Sequence, residues 1–186
     1  MTNPRYLAGK LLLAMPGIGD PRFERAAIAM CTHDDHGALG IGIGHFLPRM
    51  GLHKLLTQFD IPTANIIDAP IHQGGPVEPQ RGFVLHSLDW GGQGTIQVGN
   101  LWGLSGTLDI LRVIGTRQGP SKWLVALGYA GWGAGQLDGE MLRHGWHIAP
   151  ADHQILFETP ADKRWASAFT SSGIDPRMLA SDSGRA

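Results

Sequence analysis

The stretch LGIGIG, residues 39–44, limits what this chain can become more than any other. Period-two alternation marks a strand. One face carries Leu39, Ile41 and Ile43, while the other is bare at Gly40, Gly42 and Gly44. Glycine weakens a strand, so a bare face is kept where another segment approaches the backbone closely. The preceding AAIAMCTH, 26–33, reads as a strand and DDHG, 34–37, as a turn. Residues 31–44 therefore predict a hairpin. Its crown holds one thiol, two imidazoles and two carboxylates in six residues. His33 and Asp35 form H-x-D, the local part of a two-His-one-carboxylate iron site. A metal needs three or four ligands converging on one point, and a tight turn sends neighbouring side chains apart. The expectation is no metal: His33 bonds backbone at the strand end, and Asp34 and Asp35 supply turn chemistry. Cys31 closes an apolar run and is expected to be packed.

Further along, Leu52, Leu55, Leu56 and Phe59 recur at helical spacing before Pro62. NIIDAPI, 65–71, predicts a short strand whose end Pro70 disturbs, and HQGGPVEPQ, 72–80, a loop. RGFVLHSLDW and TIQVG predict strands around the turn GGQG. Leu104, Leu108 and Leu111, widened by Ile110, Val113 and Ile114, predict a helix capped by Ser105 or Thr107. KWLVALGYA, 122–130, predicts a long apolar strand. GWGAGQLDGEMLRH, 131–144, predicts a glycine turn feeding a helix with Asp138 and Glu140 early and Arg143 and His144 late, as the macrodipole favours. WHIAP predicts a strand. TPADKRWASAF predicts a helix capped by Thr159, with Pro160 first inside it and Trp165, Ala168 and Phe169 as its buried stripe. Asp175-Pro176 starts one last helical turn. Strands and helices do not alternate regularly, so the class is α+β, in one domain over 1–186 with a loose tail from about 181.

The formal net charge of -1 opposes a general electrostatic grip on nucleic acid. Arg112, Arg117 and Lys122 form the one local basic run and read as a solvated face. With no helix-turn-helix or basic recognition helix in view, no direct sequence-specific nucleic-acid binding is expected. LLLAM, 11–15, is too short to span a membrane and lacks the features of a signal peptide; it reads as the first strand, and no membrane partner is expected. A single cysteine precludes an internal disulfide and suits a cytoplasmic protein.

Few motifs carry chemistry. GLSG, 103–106, fails the G-x-S-x-G spacing of a nucleophile elbow. The order strand, glycines, helix over GYAGWGAGQLDGE could expose N–H groups to an anion, but the dinucleotide fingerprint is not met. The competing role of these glycines is a sharp reversal while Tyr129 and Trp132 pack on the sheet. Gln136 and Glu140 share a helix face, lining a cleft or facing solvent.

GKLLLAMPG, DPRFERAAI, CTHDDHGALG, GGPVEPQRGFVLHS, LVALGYAGWGAGQLDGE and WHIAPAD occur in this order along nearly the whole chain. Together they resemble the YqgE/AlgH family of bacterial proteins. The resemblance implies a strongly bent, bifurcated sheet forming a pseudo-barrel with helices packed around it. The family carries a historical label of transcriptional regulator without an established biochemical activity. This chain departs from its pattern after the glycine strand, with GHFLPRM, 44–50, where an Asn-Arg-Pro-like run is usual. His36 lacks a family counterpart and reads as exposed. Arg22, Glu24, Arg25 and Arg81 lie in matching segments, either as a semi-buried ion-pair network or as arginines pairing an anion.

The expectation for function is a non-enzymatic binding module for a small anionic ligand or protein partner, with an indirect regulatory role and no cofactor. The alternative is a hydrolase or transferase using carboxylates such as Glu140. The ligand-binding candidates are Gly74, Gly75, Arg81, Tyr129, Gly131, Trp132, Gly133, Gln136 and Glu140, in one cleft between the 74–76 loop and the 131–133 turn. Arg22 and Arg25 are candidates for anion pairing. Arg81 is expected to balance Glu140 or to bind the anion itself.

Overall fold

The computed structural model describes residues 6–179, so the tail expected from about 181 lies outside the described residues. The chain opens with β1 (Lys10–Ala14), β2 (Ala27–Asp34), β3 (Gly37–Gly42), β4 (Phe46–Gly51) and α1 (Leu52–Gln58). Next come β5 (Pro70–Gln73), β6 (Val77–His86), β7 (Ile96–Val98), β8 (Trp102–Ser105) and α2 (Leu108–Gly115). It ends with β9 (Trp123–Gly133), α3 (Gln136–Leu142), β10 (Trp146–Pro150), a π-type turn (Gln154–Glu158), α4 (Ala161–Ser171) and a last 3-10 turn (Pro176–Leu179).

The strands make one curled, mostly antiparallel half-barrel in the order β10-β1-β2-β3-β9-β6-β8-β7. β9 is its trunk. Over Ala130–Gly133 it pairs with β3; over Ala126–Leu127 it pairs in parallel with β5, which carries β4. β6 runs antiparallel to β9 from Trp123 to Tyr129. The sheet therefore forks at β9, as the resemblance implied.

Both faces of the sheet are covered. Leu11 and Leu13 of β1 enter a central core with Trp102, Leu156 and Phe169, whereas Leu12 and Ala14 enter a second core with Trp132, Leu137 and Trp146. On the other arm, Val84 and Val125 meet α1 and α2 in a third. This explains the unbroken apolar runs LLLA and AAIAMC: each neighbouring residue has a core on its own side.

The hairpin of 31–44 forms, with Asp34 opposite Gly37 and the Asp34 carboxylate accepting from His36 N at 2.7 Å. The bare face of β3 is where the chain crosses at 73–74. Gly42 N donates to Gly74 O at 2.7 Å, and a Cβ on Gly42 would stand 2.5 Å from Gln73 O. Gly42→Ala is expected to destabilise by about 1–3 kcal/mol through overpacking. A urea unfolding midpoint equal to that of the parent chain would show instead that the crossing yields without cost.

Several local expectations need correction. Leu104 and Ser105 belong to β8, and the helix begins only at Leu108: pairing of Leu104 with Leu85 outweighs its helical spacing to Leu108. Thr107 takes the N-cap position without a side-chain bond. Most of 72–80 is strand, with only Gly74-Gly75-Pro76 linking β5 to β6. Conversely, 65–69 is irregular, and Pro70 opens β5 rather than disturbing its end. There the Asp68 carboxylate accepts from His53 N at 2.9 Å in the first turn of α1, a capping role that holds the segment off the sheet. Gly131-Trp132-Gly133 is the end of β9, and the reversal falls at Gly135, φ 72. Pro160, not Thr159, is the N-cap of α4; the Thr159 hydroxyl donates back to Gln154 O.

Candidate functional site

The β1–β2 connection leaves the sheet at Met15 and returns at Ala26, and its first half arches toward α4. Trp165 anchors that helix beneath it, its indole N–H donating to Ala14 O at 2.9 Å. Loop, helix and the last 3-10 turn border an open cavity of about 710 Å3 whose walls include Met15, Ile18, Trp165 and Pro176. Arg25 enters this cavity from a left-handed backbone, φ 52, and its guanidinium lies 4.9 Å from the Trp165 ring centroid. A cation over an indole face is attracted by the ring quadrupole. Among the described residues no carboxylate pairs with Arg25. The neighbouring charges do pair: Asp20 with Arg22 at 2.7 Å and Asp175 with Arg177 at 2.8 Å. The hydrogen bonds from Arg22 hold the Asp20 carboxyl below the usual carboxylate range. Arg22 thus serves an exposed ion pair, while Arg25, also exposed, has Trp165 as its neighbour.

On the far side of the same loop, Glu140 edges a second cavity of about 330 Å3 with Asp20, Phe23 and Arg143. Its Oε2 accepts from the indole N–H of Trp132 at 2.9 Å and of Trp146 at 3.0 Å, and its Oε1 from Gln136 at 3.2 Å. Gln136 in turn accepts from Gly133 N at 3.0 Å, so it closes the end of β9 onto α3. Trp132, 7% exposed, belongs to the second core and not to an open wall. The expected Arg81–Glu140 balance is not formed: Arg81 stands 3.4 Å from Glu78 and over the Phe83 ring, whose edge meets Tyr129.

The two glycine segments do adjoin, but through backbone. A Cβ on Gly75 would overlap the main chain at Tyr129–Ala130, and Gly131 follows one residue later. Gly74 and Gly75 line a narrow cavity of about 110 Å3 with Arg22 and Ala130; Gly131, Trp132 and Gly133 are not among its walls.

At the hairpin crown, buried His33 accepts from Leu7 N at 3.0 Å and turns Nε2 toward Asp138, 3.6 Å away. Asp35 accepts from the Tyr6 hydroxyl. Among the described residues no three His, Cys, Asp or Glu side chains converge as a metal set. His36 is exposed. Burial pushes the Cys31 thiol up to about 12, which removes it as a nucleophile at neutral pH.

Two buried pairs were not foreseen from sequence. Ser105, expected as a cap, bonds His86 Nε2 at 2.8 Å, while His86 Nδ1 donates to Ser87 O at 2.9 Å. That is a nucleophile–base spacing, yet both residues are sealed, His86 fully, and Thr95 occupies the other side of the Ser105 hydroxyl at 2.8 Å. Arg164, 5% exposed, donates to Ile155 O, to Ile43 O and, at 2.6 Å, to His72 Nε2. The signal for Arg164 was present: it stands three residues from Ala161 and four from Ala168, on the buried stripe of α4.

A curled α+β half-barrel with a forked trunk strand and a loop-walled cavity against its last helix is the class of protein this chain defines. It belongs to the AlgH-like family, whose model matches residues 11–177. A UPF0301 protein of Novosphingobium aromaticivorans is 56% identical over 186 residues, covering all of both chains. One of Sphingopyxis alaskensis is 54% identical over all of this chain and 99% of its own. The solution structure of the AlgH protein from Pseudomonas aeruginosa superposes with a TM-score of 0.81 at 35% identity, covering 100% of this chain and 99% of that one. A Corynebacterium diphtheriae protein, 16% identical with a TM-score of 0.76, covers 97% of this chain and 95% of its own and shares the fold. No helix among the described residues is long and apolar enough to cross a membrane.

Proposed function

We propose that this protein is a non-enzymatic, cytoplasmic binding module that takes a small anionic ligand into the cavity between the 15–21 loop and α4. Any regulatory effect is then indirect, exerted through the liganded protein and not through direct reading of DNA. The observation that carries this reading is Arg25: a cation on an otherwise mostly apolar wall, in a left-handed conformation that ordinarily carries a steric cost, without a carboxylate partner among the described residues. Apolar walls with few polar groups are the usual composition of a small-molecule pocket, and the volume falls in the usual range. Against the hydrolase or transferase alternative stands the commitment of both Glu140 oxygens to Trp132, Trp146 and Gln136.

The test is a thermal-shift screen of small carboxylates, phosphates and nucleotides on the parent chain and on Arg25→Asn, since asparagine tolerates the left-handed backbone. At least one anion is expected to raise Tm of the parent, by the equivalent of about 2.7 kcal/mol at a hundred times its Kd. The shift should vanish in Arg25→Asn. A shift of equal size in both proteins, or none with any anion, would defeat the reading.

A further inference from the structure

We infer that the ligand of this cavity is a zwitterion with an apolar body, of the chemical class of apolar α-amino acids, its carboxylate on Arg25 and its ammonium on Glu24. This rests on the reading of the cavity as an anion-binding site and sharpens it.

Four charged residues line the cavity: Asp20, Glu24, Arg25 and Arg177. Asp20 is held by Arg22 through three side-chain contacts of 2.7–3.2 Å, and Arg177 by Asp175 in the same manner at 2.8–3.2 Å. Those four groups neutralise one another in pairs. Glu24 and Arg25 remain, and among the described residues neither has an ion-pair partner. Although consecutive, the two form no ion pair with each other. Glu24 has an extended backbone at φ -58, ψ 123, and its carbonyl accepts from His45 Nε2 at 3.1 Å. Arg25 then turns left-handed at φ 52, and its guanidinium is drawn over Trp165.

The cavity rim therefore carries one positive and one negative charge, both exposed to solvent and neither ion-paired among the described residues. A plain anion would satisfy Arg25 and meet repulsion from Glu24; a phosphate dianion would meet more. A zwitterion satisfies both and leaves the site neutral. Its carboxylate suits the planar fork of the guanidinium. Its remaining surface would rest on Met15, Ile18, Trp165 and Pro176, so an apolar or aromatic side chain is the complement.

Calorimetric titration with four probes tests this: L-phenylalanine, N-acetyl-L-phenylalanine without the ammonium, L-phenylalaninamide without the carboxylate, and inorganic phosphate. L-Phenylalanine is expected to bind at least about tenfold tighter than any other. Glu24→Gln should erase its advantage over the N-acetyl probe alone, and Arg25→Asn its advantage over the amide alone, with circular dichroism confirming that both variants are folded. If N-acetylphenylalanine or phosphate binds as tightly as L-phenylalanine, and through Arg25, the zwitterion assignment falls while the anion-site reading stands. If no probe binds, the zwitterion assignment falls; if L-phenylalanine binds but is indifferent to Arg25→Asn, both fall.

Discussion

Arg164→Ala is expected to cost about 3–5 kcal/mol of unfolding free energy, from the buried acceptors it would leave unpaired and the void it would open. The guanidinium is sealed between α4, the end of β3 and β5, and burial has brought its pKa down to about 10, still charged at neutral pH. Its acceptors are the Ile43 and Ile155 carbonyls and His72 Nε2. Truncation leaves these acceptors without a donor, at about 1–3 kcal/mol for each group that water cannot reach. It also opens a void where the buried side chain stood. Arg164→Lys keeps the charge but not the fork that serves several acceptors at once, so it should recover only part of the loss. Urea unfolding of the three proteins measures the differences. A loss below about 1 kcal/mol for Arg164→Ala would mean that water enters and replaces the side chain.

Lowering the pH from 7 to 4 is expected to remove about 3 kcal/mol through His72 alone. Burial first, and then the Arg164 charge, depress its pKa from 6.5 to about 4. Between those two values the unfolded chain holds a proton that the folded chain refuses. Each unit of pH down therefore favours unfolding, by about 1.4 kcal/mol per group. The contribution is whole above pH 6.5 and is lost as pH falls toward 4. The geometry gives the reason: Nδ1 already donates to Val125 O, and a proton on Nε2 would meet the Arg164 donor head-on. Burial lowers His86 and His147 as well, with the same sign. The carboxylates of Asp20, Asp68, Asp89 and Asp175, all lowered, are neutralised at more acid pH and add their losses there. Urea midpoints measured from pH 7 to 4.5 isolate the histidine window. His72→Gln, whose amide oxygen can still accept from Arg164, should flatten the slope by close to one proton. An unchanged slope would sink the assignment to His72.

What the sequence disclosed and what it withheld divide along one line. LGIGIG announced both a strand and a close crossing, because backbone proximity demands glycine locally. The stripe of Trp165, Ala168 and Phe169 announced α4 because its period is local too. Leu104 and Ser105 read as the start of a helix because Leu104, Leu108 and Leu111 satisfy helical spacing whatever they do; pairing with β6, some twenty residues upstream, decides the matter. The Arg164–His72 bond joins residues 92 apart, and the large cavity joins a loop near residue 18 to a helix near 165. No period or motif spans such distances. Arg25 was named as a candidate from its family segment, but its freedom from a carboxylate depends on Arg22 having claimed Asp20.

The forked trunk has a consequence for how the chain leaves the ribosome. Gly40 of β3 pairs with Ala130, so one edge of the opening hairpin has its partner only about 90 residues later, roughly 5–20 s at ordinary rates of synthesis. β1 waits longer still, for Ile148 and its neighbours. Throughout that interval the nascent chain presents open strand edges rich in Leu, Ile and Ala, the surface that templates pairing with another chain. Fragments ending before Trp123 lack the trunk altogether and should be found in inclusion bodies, or bound to a holdase chaperone, where the full-length product is not.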